Sequence, residues 1–338
     1  MAVGIKTVAE KAQVSIGTVS NVLSGNRPVS EDVRNRVLQA VDDLGYRTNM
    51  IGHSLVTKRT KTIGVVLPGF QLDIDGVLIG IDSVLRKKGY SLLVSQLNPG
   101  ETPMKHLLTL FSRRVDGVIW GIPETTRDLG WNKIAGLDPT IPIVLNFYSP
   151  KPGFSSVQMD NFFGGYIATK HLLDHGCRKI AHISGLLSGS VESRDRKAGW
   201  EKALREAGLE PIIMCEGDWQ VESGRRCMAS LLNQYPDIDA VFASNDWTAY
   251  GVMDAVRAAG KSIPEDVKLI GFDDNIFLDY ANPPLTSVHQ DYVSMGICAT
   301  NELFSWIENP DRQPQAQTIP TWLTIRQSCG CTPDKKSG

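Results

Sequence analysis

KTVAEKAQVSIGTVSNVL, residues 6–23, reads as two short helices with a break between them. Val8, Ala9 and Ala12 recur at helical spacing and predict one face turned to a core. Thr7 and Glu10 stand in the T-x-x-E relation of a capping box, which predicts a helix start there. The break falls at Val14 and Ser15. Ser15 suits the N-cap of a second helix, Ile16 to Leu23, with Val19, Val22 and Leu23 inward. Its other face carries Gly17, Thr18, Ser20 and Asn21, all small and polar. A bare face at a helix start lets backbone N–H groups approach phosphates and lets short side chains reach base edges. This is helix-turn-helix geometry, with the second helix as reader of the major groove. The plainer alternative is a helical hairpin that only packs on a larger domain.

Charge favours the first reading. The chain of 338 residues has a net charge of −2. Residues 1–61 alone hold nine Lys+Arg against five Asp+Glu, so a +4 segment precedes a −6 remainder. A small basic piece on a large acidic one points to a polyanionic partner. No apolar run reaches the length of a membrane span, and MAVGIKTVAEK lacks the apolar core of a signal peptide, so a cytoplasmic, nucleoid-associated protein is expected. The six cysteines (177, 215, 227, 298, 329 and 331) include no C-x-x-C pair and read as free thiols, with no zinc site. His171 and His175 stand at i, i+4. Without a third ligand they read as a solvated helix face.

Further along, Ser30 opens a third helix with the stripe Val33, Val37, Leu38, Val41 and Leu44, ended by Gly45. Tyr46 to Lys61 reads as a linker with a short, weakly helical middle (Asn49 to Val56) and then a basic, Thr-rich run, and that middle is expected to order only in a complex. From Thr62 the pattern changes. TIGVVLP, SLLVSQ, VDGVIWG and PIVLNF alternate with helical segments at Asp75–Lys88 and around His106–Arg113. After Asn161 the alternation repeats, with helices Phe163–His175, Arg194–Ala207, Val221–Asn233 and Asp246–Ala259 preceding KIAHISG, PIIMCEGDW, DAVFASND and VKLIGFDD. Alternation of this kind predicts parallel sheets covered on both faces, in two similar lobes. Ligands bind such sheets beyond the carboxyl ends of their strands. Trp219, Asn245, Asp246, Asp273 and Asp274 collect there.

With these motifs in place the chain resembles the LacI/GalR family of bacterial transcription regulators along nearly its whole length. The resemblance is carried by TVAEKAQVSIGTVSNVLSG, LGYRTNMIGHSL, TIGVVLP, SRDRKAGW, SNDWTAYGVM, IGFDD, HQD and IRQSCGC. It implies an α/β chain: a helix-turn-helix headpiece (1–46), a hinge (47–61) and a two-lobed core like the periplasmic sugar-binding proteins, with parallel sheets. The first lobe spans 62–161 and 291–320, the second 162–290 and 321–338. It also implies a homodimeric repressor that reads near-palindromic operator DNA and responds to a sugar-like effector between the lobes. Ile16, Gly17 and Asn21 match the family's base-reading positions, with Ser15, Thr18 and Ser20 beside them. Asn49, Gly52 and Leu55 match the hinge, where the family's leucine wedges into the minor groove. In the core, Arg194 matches the effector-gripping arginine, Trp219 an aromatic wall, and Asn245 and Asp273 polar ligands. Gln290 sits on the crossover between lobes and Phe147 faces the cleft from the first lobe.

The chain also departs from the family. Thr48 and Gly52 replace a usual proline and alanine, which loosens the hinge. LDIDG, with Asp73 near an aromatic position, replaces the stretch after the first core strand. TPDKKSG carries no leucine repeat, so a tetramer helix is not expected. The competing classes are a transporter's solute-binding receptor, which would call for an export signal and no basic headpiece, and an enzyme. No G-x-x-x-x-G-K-[ST], no G-x-G-x-x-G after a strand and no G-x-S-x-G occurs, so neither catalytic residues nor a cofactor is expected.

Overall fold

The computed structural model describes residues 4–24, 27–46, 59–68, 74–98, 100–122, 134, 140–147 and 151–331. The hinge positions Asn49, Gly52 and Leu55, and Asp73, lie outside these. The chain divides into two compact units, Met1–Thr60 and Lys61–Gly338.

In the first unit α1 (Ile5–Ala12), α2 (Ile16–Ser24) and α3 (Glu31–Leu44) surround Val8, Ala9, Ala12, Val19, Val22, Val37 and Ala40. The helix start expected at Thr7 is displaced. α1 opens at Ile5 after Gly4, and Thr7 is already inside it, its N–H on the Gly4 carbonyl at 3.0 Å. A capping box read from two side chains loses here to the apolar stripe, which needs Ile5 on the core side. The turn closes through Gln13 in the left-handed conformation (φ 54°), while Val14 N–H reaches back to the Ala9 carbonyl at 3.0 Å. Ser15 caps α2 as its sequence predicts: its Oγ accepts from Thr18 N–H at 3.1 Å. Gly45 (φ 58°) ends α3.

The second unit holds two six-stranded sheets. Strands β1 (Thr62–Pro68), β2 (Ser91–Leu97), β3 (Gly117–Trp120), β4 (Ile143–Asn146), β5 (Ser155–Met159) and β11 (Ala316–Ile319) form the first, in the order β11-β5-β4-β3-β1-β2. The second takes β6 (Ile180–Ser184), β7 (Met214–Glu216), β8 (Ala240–Ala243), β9 (Lys268–Asp273), β10 (Thr286–Gln290) and β12 (Thr321–Thr324), in the order β12-β10-β9-β8-β6-β7. The two orders repeat one topology. TIGVVLP lies between β3 and β2 and is buried on both faces, which is why it is a continuous apolar run rather than an alternating one. β12 pairs antiparallel with β10; every other named pair is parallel.

Helices α4 (Ile74–Lys88), α5 (Pro103–Ser112) and α10 (Tyr292–Glu308) cover the first sheet. α6 (Asn161–Asp174), α7 (Val191–Glu206), α8 (Val221–Gln234) and α9 (Asp246–Ala258) cover the second. The chain therefore passes from one sheet's territory to the other three times, at Asp160, at Asp291 and at Pro320. The first two passages are fixed by caps: Asp160 accepts from Phe163 N–H and Asp291 from Ser294 N–H, each at 2.9 Å. α7 starts three residues before the expected Arg194, because the Ser190 hydroxyl accepts from Ser193 N–H at 3.1 Å. Among the described residues no helix is long and apolar enough to cross a membrane.

Two cysteines depart from the free-thiol expectation. Cys215 of β7 and Cys227 of α8 are joined in a disulfide, Cα to Cα 5.7 Å, across a separation of 12 residues. The fold lays α8 against β7, a proximity that spacing alone does not reveal.

His182 sets a pH limit on the second lobe. It is fully buried, stacked on Phe242 (centroids 4.8 Å apart), with Nδ1 2.9 Å from the Phe242 carbonyl. Burial lowers its pKa from 6.5 to about 4. The unfolded chain then binds a proton that the folded one refuses, so stability falls as pH drops from about 6.5 toward 4. The full effect is on the order of 3 kcal/mol. Urea midpoints across that window should show this slope, flattened in His182→Phe. Equal slopes for parent and variant would remove His182 as its source.

Candidate functional site

The headpiece offers a surface. Ser15, Ile16, Gly17 and Ser20 are exposed, and Thr18 and Asn21 half-buried, on the side of α2 opposite its buried Val19 and Val22. Ile16 is 48% exposed although apolar, an arrangement that favours contact with a partner. A Cβ on Gly17 would meet nothing closer than the Ser15 hydroxyl at 3.7 Å. No packing inside the unit therefore demands glycine there; its smallness serves the outer face. The Ser15 and Thr18 hydroxyls lie 2.9 Å apart and fix the start of the helix.

The second constellation forms where strands of both sheets end. Its centre is Arg196, not Arg194. Arg194 is exposed and donates from Nη1 to the Leu187 carbonyl at 3.1 Å. Two residues on, a helix has turned through about 200°, so Arg196 points the opposite way, in line with buried Ser193, Gly199, Trp200 and Ala203. It is 5% exposed. Its Nε donates to Asn161 Oδ1 at 2.8 Å and its Nη1 to the Ser244 carbonyl at 2.5 Å, with Asp273 Oδ1 at 3.6 Å from the same nitrogen. The guanidinium lies over Phe272 at 3.7 Å and within 5.3 Å of the Trp219 ring. The signal was present in the sequence: Arg196 lies three and four residues before Gly199 and Trp200, on their face, and Arg194 does not.

Asp273 ends β9 with φ 106°, a left-handed conformation uncommon outside glycine. Gln290, at the end of β10, donates from Nε2 to Asp273 Oδ1 at 2.6 Å and to the Tyr292 hydroxyl at 2.7 Å. Tyr292 opens α10, and its ring stands 6.1 Å from Phe147, just past β4 with φ 65°. A continuous chain of contacts thus runs from Trp219 and Arg196 through Asp273 and Gln290 to Tyr292 and Phe147, from the second lobe to the first. Trp219, also left-handed (φ 71°), packs on Gly185, where a Cβ would fall 2.2 Å from the ring.

Asn245 belongs to the support rather than the surface. Its Oδ1 accepts from Thr248 N–H at 2.9 Å as the cap of α9, and its Nδ2 donates to the Trp219 carbonyl at 3.1 Å. It holds the loop that carries the tryptophan. Among the described residues, buried polar atoms at nearby strand ends and in the first turn of α7 lack protein partners: both amide atoms of Asn146, the hydroxyls of Ser184 and Ser244, and that of Ser193. Unpaired buried polar atoms in such number are uncommon in a closed core and mark a place for a polar ligand or water. Glu192 lies on the same helix turn as Ser193, and burial raises its carboxyl pKa against the pull of Arg196. Sequence reasoning did not single out Asn161, Arg196 or Tyr292.

Comparison with known proteins decides the class. Residues 4–49 match the family described as bacterial regulatory proteins, lacI family, and residues 169–329 match the periplasmic binding protein-like domain. The HTH-type transcriptional repressor PurR of Histophilus somni (strain 129Pt) is 34% identical over 329 residues, covering 96% of this chain and 98% of that protein. The chain belongs to the lacI family. It is a DNA-binding transcriptional repressor with an effector-binding core, and not an enzyme. Among solved structures, the lac repressor dimer bound to operator and the anti-inducer ONPF superimposes with a TM-score of 0.87 at 27% identity, over 97% of this chain and 99% of that one. The transcriptional regulator CelR–cellobiose complex gives 0.72 at 30% identity, over 96% and 99%. A transporter's receptor, the competing reading, carries no lacI-family headpiece.

Proposed function

We propose that this repressor binds a polyhydroxyl, sugar-like effector among Arg196, Asp273, Trp219, Gln290, Tyr292 and Phe147, and reads a near-palindromic operator as a homodimer. The observation that carries the effector reading is the buried Arg196–Asp273 pair with aromatic rings on both lobes. A ring stacks a sugar's C–H face, while a guanidinium and a carboxylate satisfy neighbouring hydroxyls in pairs. Arg196 Nη2 makes no hydrogen bond within the described residues, so it has a donor to give. The cellobiose in the similar CelR complex supports the same class. The family resemblance alone assigns Asn49, Gly52 and Leu55 to DNA contact and Asp73 to the effector. Effector occupancy shifts the lobes and with them the hinge. The experiment is a calorimetric titration of mono- and disaccharides, with operator binding followed in parallel. Tight binding by planar heterocycles and none by any sugar would overturn the ligand class. Sedimentation should show a dimer at micromolar concentration; a dominant monomer or tetramer would count against the assembly.

On the DNA side, Asn21 is the base reader. Its amide can pair bidentately with adenine N6 and N7, so Asn21→Ala should cost about 1–3 kcal/mol at one base pair of each half-site. The salt dependence should stay unchanged, since no phosphate contact is lost. Binding isotherms over a set of single-base operator variants check this. A uniform loss over all variants would place Asn21 on the backbone instead.

A further inference from the structure

His171 and His175 stand one turn apart at the end of α6, ring centroids 4.6 Å apart. In sequence they are a bare pair, but the fold brings a third ligand from the far end of the chain. Beyond β12 the chain is tied back onto β9 and β10. Leu269 N–H donates to the Ser328 carbonyl at 2.8 Å, Ser328 Oγ to the Leu269 carbonyl at 2.6 Å, and Thr286 N–H to Ser328 Oγ at 2.9 Å. Gly330 then turns the backbone with φ +87°. This leaves Cys331 Sγ 3.2 Å from His175 Nε2 and 3.6 Å from His171 Nε2. One ligand atom from each of the three residues lies within 4.8 Å of the others.

The Cys331 sulfur touches both imidazole nitrogens but can offer each only a weak hydrogen bond, as donor or as acceptor. A metal serves all three groups. With Zn–N near 2.0–2.1 Å and Zn–S near 2.3 Å, a tetrahedral ion sets its ligand atoms roughly 3.3–3.6 Å apart. Of the two sulfur–nitrogen distances, that to His171 matches the spacing and that to His175 is slightly shorter, so small side-chain rotations would seat the ion. We propose that His171, His175 and Cys331 bind one divalent transition-metal ion, Zn²⁺ in the first place, with solvent as fourth ligand. Two imidazoles and a thiolate suit zinc and its neighbours, and no carboxylate in the set invites magnesium or calcium. Cys329, fully buried beside His171 and Cys331, already has its sulfur engaged by Thr286 Oγ1 at 3.1 Å and is left outside the set. Two charges flank the site. Lys268 passes close to Gly330, where a Cβ would lie 3.0 Å from its Cε, and opposes a cation. Asp174 adjoins His175 and favours one. The ion would take the cysteine as thiolate and displace its proton to solvent.

The site is distinct from the effector constellation. Asn161, which holds Arg196, is the first residue of the 14-residue α6, and the histidines are at its other end, about 20 Å away at 1.5 Å per residue. A bound ion would staple the chain's last described stretch to α6, so its effect falls on second-lobe stability. The test uses the full chain, reduced and stripped of metal with chelator, then titrated with Co²⁺. One equivalent per chain should produce tetrahedral d–d bands and a thiolate-to-cobalt charge-transfer band, and Zn²⁺ should displace the cobalt and raise Tm. Cys331→Ser should abolish the charge-transfer band and weaken Zn²⁺ binding by more than about 100-fold, beyond the usual loss from an outer-shell partner. His175→Gln should weaken binding while keeping some thiolate band, and Cys298→Ser should match the parent. Operator binding by each variant confirms that it is folded. No cobalt bands in the parent, bands surviving in Cys331→Ser, or an equal rise in Tm for parent and Cys331→Ser would each overturn the assignment.

Discussion

Arg196→Ala should repress but no longer respond to its effector, while Arg194→Ala should behave as the parent. The two arginines are two residues apart, and their surroundings differ in every respect that matters. Arg194 is exposed and makes one hydrogen bond to a surface loop carbonyl. Arg196 joins Asn161, Ser244 and Asp273 in a space from which water is nearly excluded. Removing one member of a buried ion pair strands the other, at a cost of about 3–5 kcal/mol. In ligand affinity, 3 kcal/mol corresponds to roughly 150-fold. Part of that cost falls on the fold, so Asp273→Asn is the companion. It keeps the shape and the Gln290 side chain beside it but removes the charge that faces the guanidinium. Both variants should bind operator with the parent's affinity, because the α2 face proposed to read bases is built within the first unit on its own core. Operator binding is measured with effector titrated in. A full effector response from either Arg196→Ala or Asp273→Asn would remove the pair from the binding site.

That misplacement of the arginine shows where sequence reasoning stops. The strands TIGVVLP, KIAHIS and KLIGFD are legible because a strand buried on both faces tends to be a largely apolar run. The α2 surface was legible because a short helix has only one face to bury. SSVQM (β5) and TSVHQ (β10), rich in Ser, Thr and Gln, give no such apolar signal. Their polar side chains are satisfied by distant partners: Ser155 by Glu302 at 2.6 Å, Ser287 by Asp246 at 2.7 Å. Such partners lie 147 and 41 residues away and leave no local pattern. The same holds for Cys331 beside His171, and for Cys215 bonded to Cys227. Residues aligned by motif alone can slip by two places, as Arg194 did. The burial periodicity of the helix corrects the slip.

The largest stability loss should come from alanine at a helical glycine, and only at certain ones. Three helix pairs are built on facing glycines: Gly80 with Gly296 between α4 and α10, Gly165 with Gly199 between α6 and α7, and Gly224 with Gly251 between α8 and α9. A Cβ at Gly199 would lie 2.1 Å from the Phe162 carbonyl oxygen, and one at Gly251 would lie 1.9 Å from that of Val221. Those obstacles are backbone, which cannot rotate aside as a side chain can. The helices must separate by about an ångström or more, which breaks contacts along their whole interface. Overpacking of a core costs typically 1–3 kcal/mol and more where nothing yields, so about 3 kcal/mol or more is expected for Gly251→Ala. The opposing term is helix propensity, worth up to about 1 kcal/mol in favour of alanine. At Gly251 it loses. At Gly17 nothing opposes it, since the nearest atom to a Cβ is 3.7 Å away, and Gly17→Ala should leave the fold unchanged or slightly firmer. Gly17→Ala should instead weaken operator binding, because the added methyl stands on the exposed face of α2 proposed to meet DNA. Chemical denaturation of both variants, with operator titrations, separates these cases. A Gly251→Ala protein as stable as the parent would mean that the helix pair can open without cost, contrary to the close packing described here.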